Sequence, residues 1–199
     1  KHEEYIHPRA VIDPTAIIGS NCYIGPNSFI GEDVIIGNNV VIDANCTLRH
    51  CNVGDNTHIY PGVSIGSSGL GSHQDSDGSW IHFPHFGIVE IGKSVLIQDH
   101  CVIARGSLQN TILGNGVTIG PLTWIAHNVF VQKNAFIGQS VTIAGSSIIG
   151  EGAKIWGNSS IRDGLYVGKN STVGMGAVVV KSIPDDCIVV GNPAHPLHS

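Results

Sequence analysis

Every sixth residue from Leu113 to Val179 is aliphatic: Leu113, Ile119, Ile125, Val131, Ile137, Ile143, Ile149, Ile155, Ile161, Val167, Val173 and Val179. Leu, Ile and Val make up 55 of the 199 residues, so twelve successive hits do not arise by chance. A matching ladder opens the chain at Ile6, Ile12, Ile18, Ile24, Ile30, Ile36, Ile42 and Leu48. Small residues fill its fifth places, Ala10, Ala16, Cys22, Ser28, Val34, Val40 and Cys46. Glycine often follows the aliphatic, as at Gly19, Gly25, Gly31 and Gly37, and Pro, Asn, Glu or Asp comes next, which is turn chemistry. Each hexad therefore reads as a short strand plus a turn. Such a unit buries its inner face only by stacking on its neighbours, so the chain is expected to be a solenoid. Three hexads close an 18-residue coil, and coils about 4.8 Å apart build an all-β prism on the order of 40 Å long.

Composition agrees with frequent turning. The charged share is 13% and there are 26 glycines, a surface more polar than ionic. Ten Lys plus Arg against fifteen Asp plus Glu leave no basic run that would release counterions from nucleic acid. Cys22, Cys46, Cys51, Cys101 and Cys187 form no CxxC pair and read as small core residues in a reducing compartment. No apolar run reaches the ~18 residues of a membrane span, and Lys1 to Tyr5 lack the apolar stretch of a secretory signal. A single domain over 1–199 and a cytoplasmic location are expected.

The ladder breaks in three places. One hexad loses a residue at Leu48-Arg49-His50-Cys51-Asn52. Residues 67–87 interrupt it for longer, with Trp80, Phe83 and Phe86, and four extra residues follow Ile103. Loops thrown out of a solenoid commonly carry binding groups, so Trp80, His82 and His85 are acceptor-contact candidates. After Val179 the prolines of residues 183–199 mark a tail expected to end strand pairing.

His127 stands at a fixed place in its hexad. Adding one coil at a time gives Gly145, Asp163 and Lys181 on the same edge. An imidazole near its ordinary pKa of about 6.5 can take a proton from an attacking amine or hydroxyl. A glycine one coil on offers a backbone N–H for an oxyanion, and a lysine can meet a phosphate as a point charge. On stacking alone, Gly145 reads equally as a turn glycine and Lys181 as a solvated charge; Asp163 on that edge has no role of its own.

The hexads resemble the hexapeptide-repeat family, which implies a left-handed parallel β-helix. More narrowly, residues 59–131 resemble the UDP-3-O-acylglucosamine N-acyltransferases of lipid A synthesis. The likeness lies in Ile65-Gly66-Ser67-Ser68-Gly69-Leu70-Gly71, Trp80-x-x-x-Pro84, Ala104-Arg105-Gly106-Ser107-Leu108, Thr111-Ile112-Leu113-Gly114-Asn115-Gly116 and Ile125-Ala126-His127-Asn128-Val129. The resemblance implies a general base at His127, an oxyanion amide at Gly145, and Asn128 beside the acceptor. The family pattern has an acidic residue and an asparagine where this chain has Gly120 and Pro121, and a second histidine near Gly164. Its uridine-binding domain and C-terminal helices are not represented, and the Gly191-Asn192-Pro193-Ala194 tail resembles acyl-coenzyme A-dependent members.

The sequence therefore predicts a homotrimeric acyltransferase. It moves a short acyl group, most simply acetyl, from acyl-CoA to an amino group of a sugar or nucleotide sugar. Gly145, Asp163 and Lys181 would line the cofactor, with no metal. O-acylation of a sugar hydroxyl is the main alternative. A γ-type carbonic anhydrase would draw zinc ligands from His100 and His127, but Gln132 stands where its third histidine is expected. A non-catalytic trimeric scaffold is the remaining reading.

Overall fold

A computed structural model describes residues 4–197. The described chain is all β, a left-handed parallel β-helix whose strands are mostly two residues long. Three parallel sheets form the faces of the prism. One begins with Tyr5–Ile6, the second with Val11–Ile12 and the third with Ile17–Ile18, and each coil adds one strand to each. The register follows the hexads: Trp124 pairs with Thr142, Thr142 with Ser160, and Ser160 with Val178.

The ladder residues point inward. Ile24, Ile30, Ile59, Ile97, Ile125 and Ile143 are fully buried, and Cys22, Ser28 and Cys46 fill the narrower positions between them. Burying each aliphatic is worth about 1.5–3 kcal/mol relative to exposure. The five cysteines are free thiols, and burial pushes the Cys46 and Cys51 thiols up to about 11 and about 12.

Most corners turn through one residue in the left-handed region, often asparagine, as at Asn21, Asn39, Asn56, Asn128 and Asn158. Asparagine tolerates that conformation best among residues with a side chain. Its amide also ladders between coils, as from Asn27 Nδ2 to Asn45 Oδ1 at 3.1 Å.

The three ladder breaks share one corner, the edge where the second face passes into the third. The shortened hexad follows Thr47–Leu48, the long excursion follows Ser64–Ser67, and the short one follows Val102–Ala104. All three strands belong to the second sheet, as does Trp124–Ile125, which leads into His127.

The tail departs from expectation. Ile188–Val190 continues the first sheet, pairing with Thr172–Val173, and Ile183 bridges to Val167. Pro184 sits in the turn between them, where no ladder N–H is needed. Pairing turns antiparallel only at His195–Pro196. Among the described residues no helix is long and apolar enough to cross a membrane.

Because Ile143 is fully buried mid-prism, Ile143→Ala should cost roughly 2–5 kcal/mol, measured as a lower urea midpoint with an unchanged slope.

Candidate active site

His127 turns the corner after Trp124–Ile125, and Gly145 turns the same corner one coil on. A Cβ placed on Gly145 would lie 2.6 Å from His127 Cε1 and 2.8 Å from Nε2, so the imidazole occupies space that any larger residue would claim. Ser146 N–H donates to the His127 carbonyl at 3.0 Å, tying the two corners together.

The hydrogen-bond network assigns the tautomer. Ser107 donates to Asn128 Oδ1 from Oγ at 2.8 Å and from its backbone N–H at 3.2 Å, while Asn128 Nδ2 donates to the Gln109 carbonyl at 3.0 Å. Asn128 Oδ1 is thereby an acceptor, so His127 Nδ1, 2.9 Å away, donates to it. His127 Nε2 is left with its lone pair free.

Both excursions overhang this corner. The long one is an antiparallel ribbon, Ser72–Gln74 against Trp80–His82. The short one clamps it: Arg105 Nε donates to the Gly87 carbonyl at 2.6 Å, Arg105 Nη2 to Phe86 at 3.0 Å, and Phe86 N–H to Ser107 at 2.7 Å. Gly106 is required there, since a Cβ would sit 1.6 Å from the Gln109 carbonyl oxygen. Phe83, Pro84, Phe86 and Leu108 wall a cleft of about 350 Å³, with His85 and His127 in its lining. A second, more polar cavity of about 670 Å³ lies across residues 107–110, bordered by Asn128, Phe130 and Ser146.

Rings pass inward from the ribbon. His82 stacks on His85 at 5.7 Å between centroids, and His85 meets His127 edge-on at 5.5 Å. His85 is only 6% exposed. Burial, above all, holds its pKa below the ordinary value; a hydrogen bond to Phe83 opposes this, and His127, His82 and Arg105 reinforce it.

Of the sequence candidates, the structure brings His85, His127 and Gly145 together. Asp163 and Lys181 continue the edge in register and are exposed. Trp80 lies apart: it pairs with Gln74 at the far end of the ribbon, 72% exposed and outside the cleft walls. His82 reaches the site only through His85. The Asn128 amide faces His127 and residues 107–109, behind the imidazole. His100 turns a different corner, after Leu96–Ile97 of the first sheet. Arg105 and Ser107 stand in a motif of the resemblance without a role, and Gln109 stands outside it; the four extra residues after Ile103, on the corner used by His127, were the available signal for all three.

Residues 2–108, over half the chain, match a family model described as the GMPPB C-terminal domain. Residues 146–181 match one described as bacterial transferase hexapeptide (six repeats). The UDP-N-acetylglucosamine acyltransferase of Bacteroides fragilis superposes with TM-score 0.88 at 30% identity, over 97% of this chain and 74% of that one. The chain belongs to the hexapeptide-repeat acyltransferases, its first half to the GMPPB C-terminal domain family. The Francisella novicida UDP-N-acetylglucosamine acyltransferase aligns with this hexapeptide-repeat chain at TM-score 0.89 and 25% identity, covering 97% and 70%. A UDP-3-O-acylglucosamine N-acyltransferase of Coxiella burnetii is 42% identical over 85 residues, 43% of this chain. That match spans a quarter of the relative's length.

Two outcomes follow for this hexapeptide-repeat site. Gly145→Ala should keep the fold but displace the imidazole, seen as loss of the native His127 ring signals by NMR. His50 and His85 both have folded pKa values below the ordinary 6.5, so below that pH the unfolded chain binds more protons. Stability should therefore fall as pH drops from about 6.5 towards the folded values. Urea midpoints at about pH 7.5 and about pH 5.5 check this, and His85→Phe should narrow the difference.

Proposed function

We propose that this chain transfers a short acyl group, most simply acetyl, from acyl-CoA to an amino group of a nucleotide sugar. The observation that carries the reading is the free His127 Nε2 held over Gly145 beside an apolar cleft. His127 Nε2 takes a proton as the nucleophile attacks the thioester carbonyl. The Gly145 N–H, which makes no hydrogen bond within the described chain, faces the oxyanion. As the tetrahedral intermediate collapses, the C–S bond breaks and His127 returns the proton to the departing thiolate. Asn128 fixes the tautomer throughout, and Ser107 and Gln109 hold Asn128.

The named relatives act on UDP-linked glucosamine derivatives by their printed names, which supports a nucleotide-sugar acceptor. The proline-bearing tail and the exposed Lys181 at the end of the His127 edge support a coenzyme A donor, the lysine meeting a phosphate. Asp163 borders that path. The outward apolar stripe Ile112, Phe130, Ile148 and Tyr166 on the third face supports a homotrimer, and the free cysteines support a cytoplasmic location.

With acetyl-CoA and a UDP-amino-sugar, His127→Ala should lower kcat/KM by at least about 100-fold, measured by thiol release, with an unchanged Tm. Full activity in that variant overturns the reading.

A further inference from the structure

His85 carries the one buried side-chain polar atom without a hydrogen-bond partner among the described residues, its Nε2. Its Nδ1 lies 2.9 Å from the Phe83 carbonyl oxygen. A carbonyl only accepts, so Nδ1 carries the proton and Nε2 a lone pair. A buried acceptor left unsatisfied costs about 1–3 kcal/mol, and native folds rarely keep one without a role.

Gly69 brings that atom and the His127 ring to one place. A Cβ on Gly69 would lie 2.9 Å from His85 Nε2, 3.0 Å from His127 Cδ2 and 3.1 Å from His127 Cβ. Only a glycine lets the two rings close on each other there. The rings meet edge-on, with an interplanar angle of 65°.

His127 needs such a neighbour. Its Nδ1 partner is the neutral amide of Asn128. The ionisable groups near the ring pair are His82, stacked on His85, and Arg105, bound to the Phe86 and Gly87 carbonyls. Neither is an anion. An imidazolium formed at His127 therefore has a neutral dipole at Nδ1 and no anion among the groups acting on its ring neighbour His85.

We propose that His85 is a positioning residue for His127, its buried Nε2 lone pair facing the His127 ring and stabilising the positive charge that ring acquires with the nucleophile's proton. This rests on His127 being the base. The proton moves from nucleophile to His127 Nε2 and on to the leaving thiolate; His85 gains and loses none.

Imidazole NMR titration of the full chain tests this without substrate. In the parent protein His85 should hold its proton on Nδ1 throughout the His127 titration. In His85→Phe the His127 midpoint should fall by about half a pH unit, roughly a threefold loss of proton affinity. His85→Gln, which can offer Oε1 in the same place, should recover most of it. An unmoved or raised midpoint in His85→Phe, no recovery in His85→Gln, or a proton on His85 Nε2 overturns the proposal. A merely structural role would lower the Tm of both variants and leave the His127 midpoint in place. Acyl transfer surviving in His127→Ala would sink the base reading alone, while the coupling between the rings is read independently.

Discussion

Backbone pairing between successive coils is the constraint on which everything else rests. Each strand hydrogen-bonds to the strand a coil away, and the inward aliphatics allow no slippage, because a shift of one residue would turn the core outward. Extra residues have one exit, a corner. The three irregular coils expel or lose theirs at the same corner, which stacks their consequences into one place above His127. The long ribbon, the Arg105 clamp and the Asn128 anchor are neighbours because the coils beneath them are regular.

That corner orients an imidazole without an acid partner. The usual device for orienting a histidine is a carboxylate; here a carboxamide does it, held in turn by a serine and a backbone carbonyl. The carboxamide selects the tautomer without placing a charge beside the ring. The apolar walls formed by Phe83, Pro84, Phe86 and Leu108 keep the surroundings low in dielectric, where fixed dipoles count for more than in water.

Much of the fold was legible because the hexad period is a direct image of the coil. Positions such as Ile125 and Ile143, and the stacking of Gly145 under His127, follow from counting. The site was legible only in part. The structure sets His85 and Gly145 against His127, whereas Trp80 and Asn128 point elsewhere than into the cleft, because neither a loop motif nor a hexad position says which way a ribbon end or a corner amide points. Arg105, Ser107 and Gln109 lie in a short insertion whose hydrogen bonds run 18 to 21 positions along the chain, to residues 86, 87 and 128. No local pattern encodes such reach. The tail was misjudged for a physical reason: proline forbids a donor at one position but leaves a parallel strand free to resume beyond it, as Ile188–Val190 does.

The antiparallel return of His195–Pro196 has a further consequence. A parallel solenoid ends in an unpaired strand edge, a template onto which another chain can add. Here the edge of Ile188–Val190 is occupied by a strand running the opposite way, and Pro196 removes a donor from the new rim. A neighbouring molecule arriving in solenoid register finds the wrong polarity and a missing N–H. On this face, the pairing of Ile188–Val190 with His195–Pro196 presents a polarity that a parallel strand in solenoid register does not match.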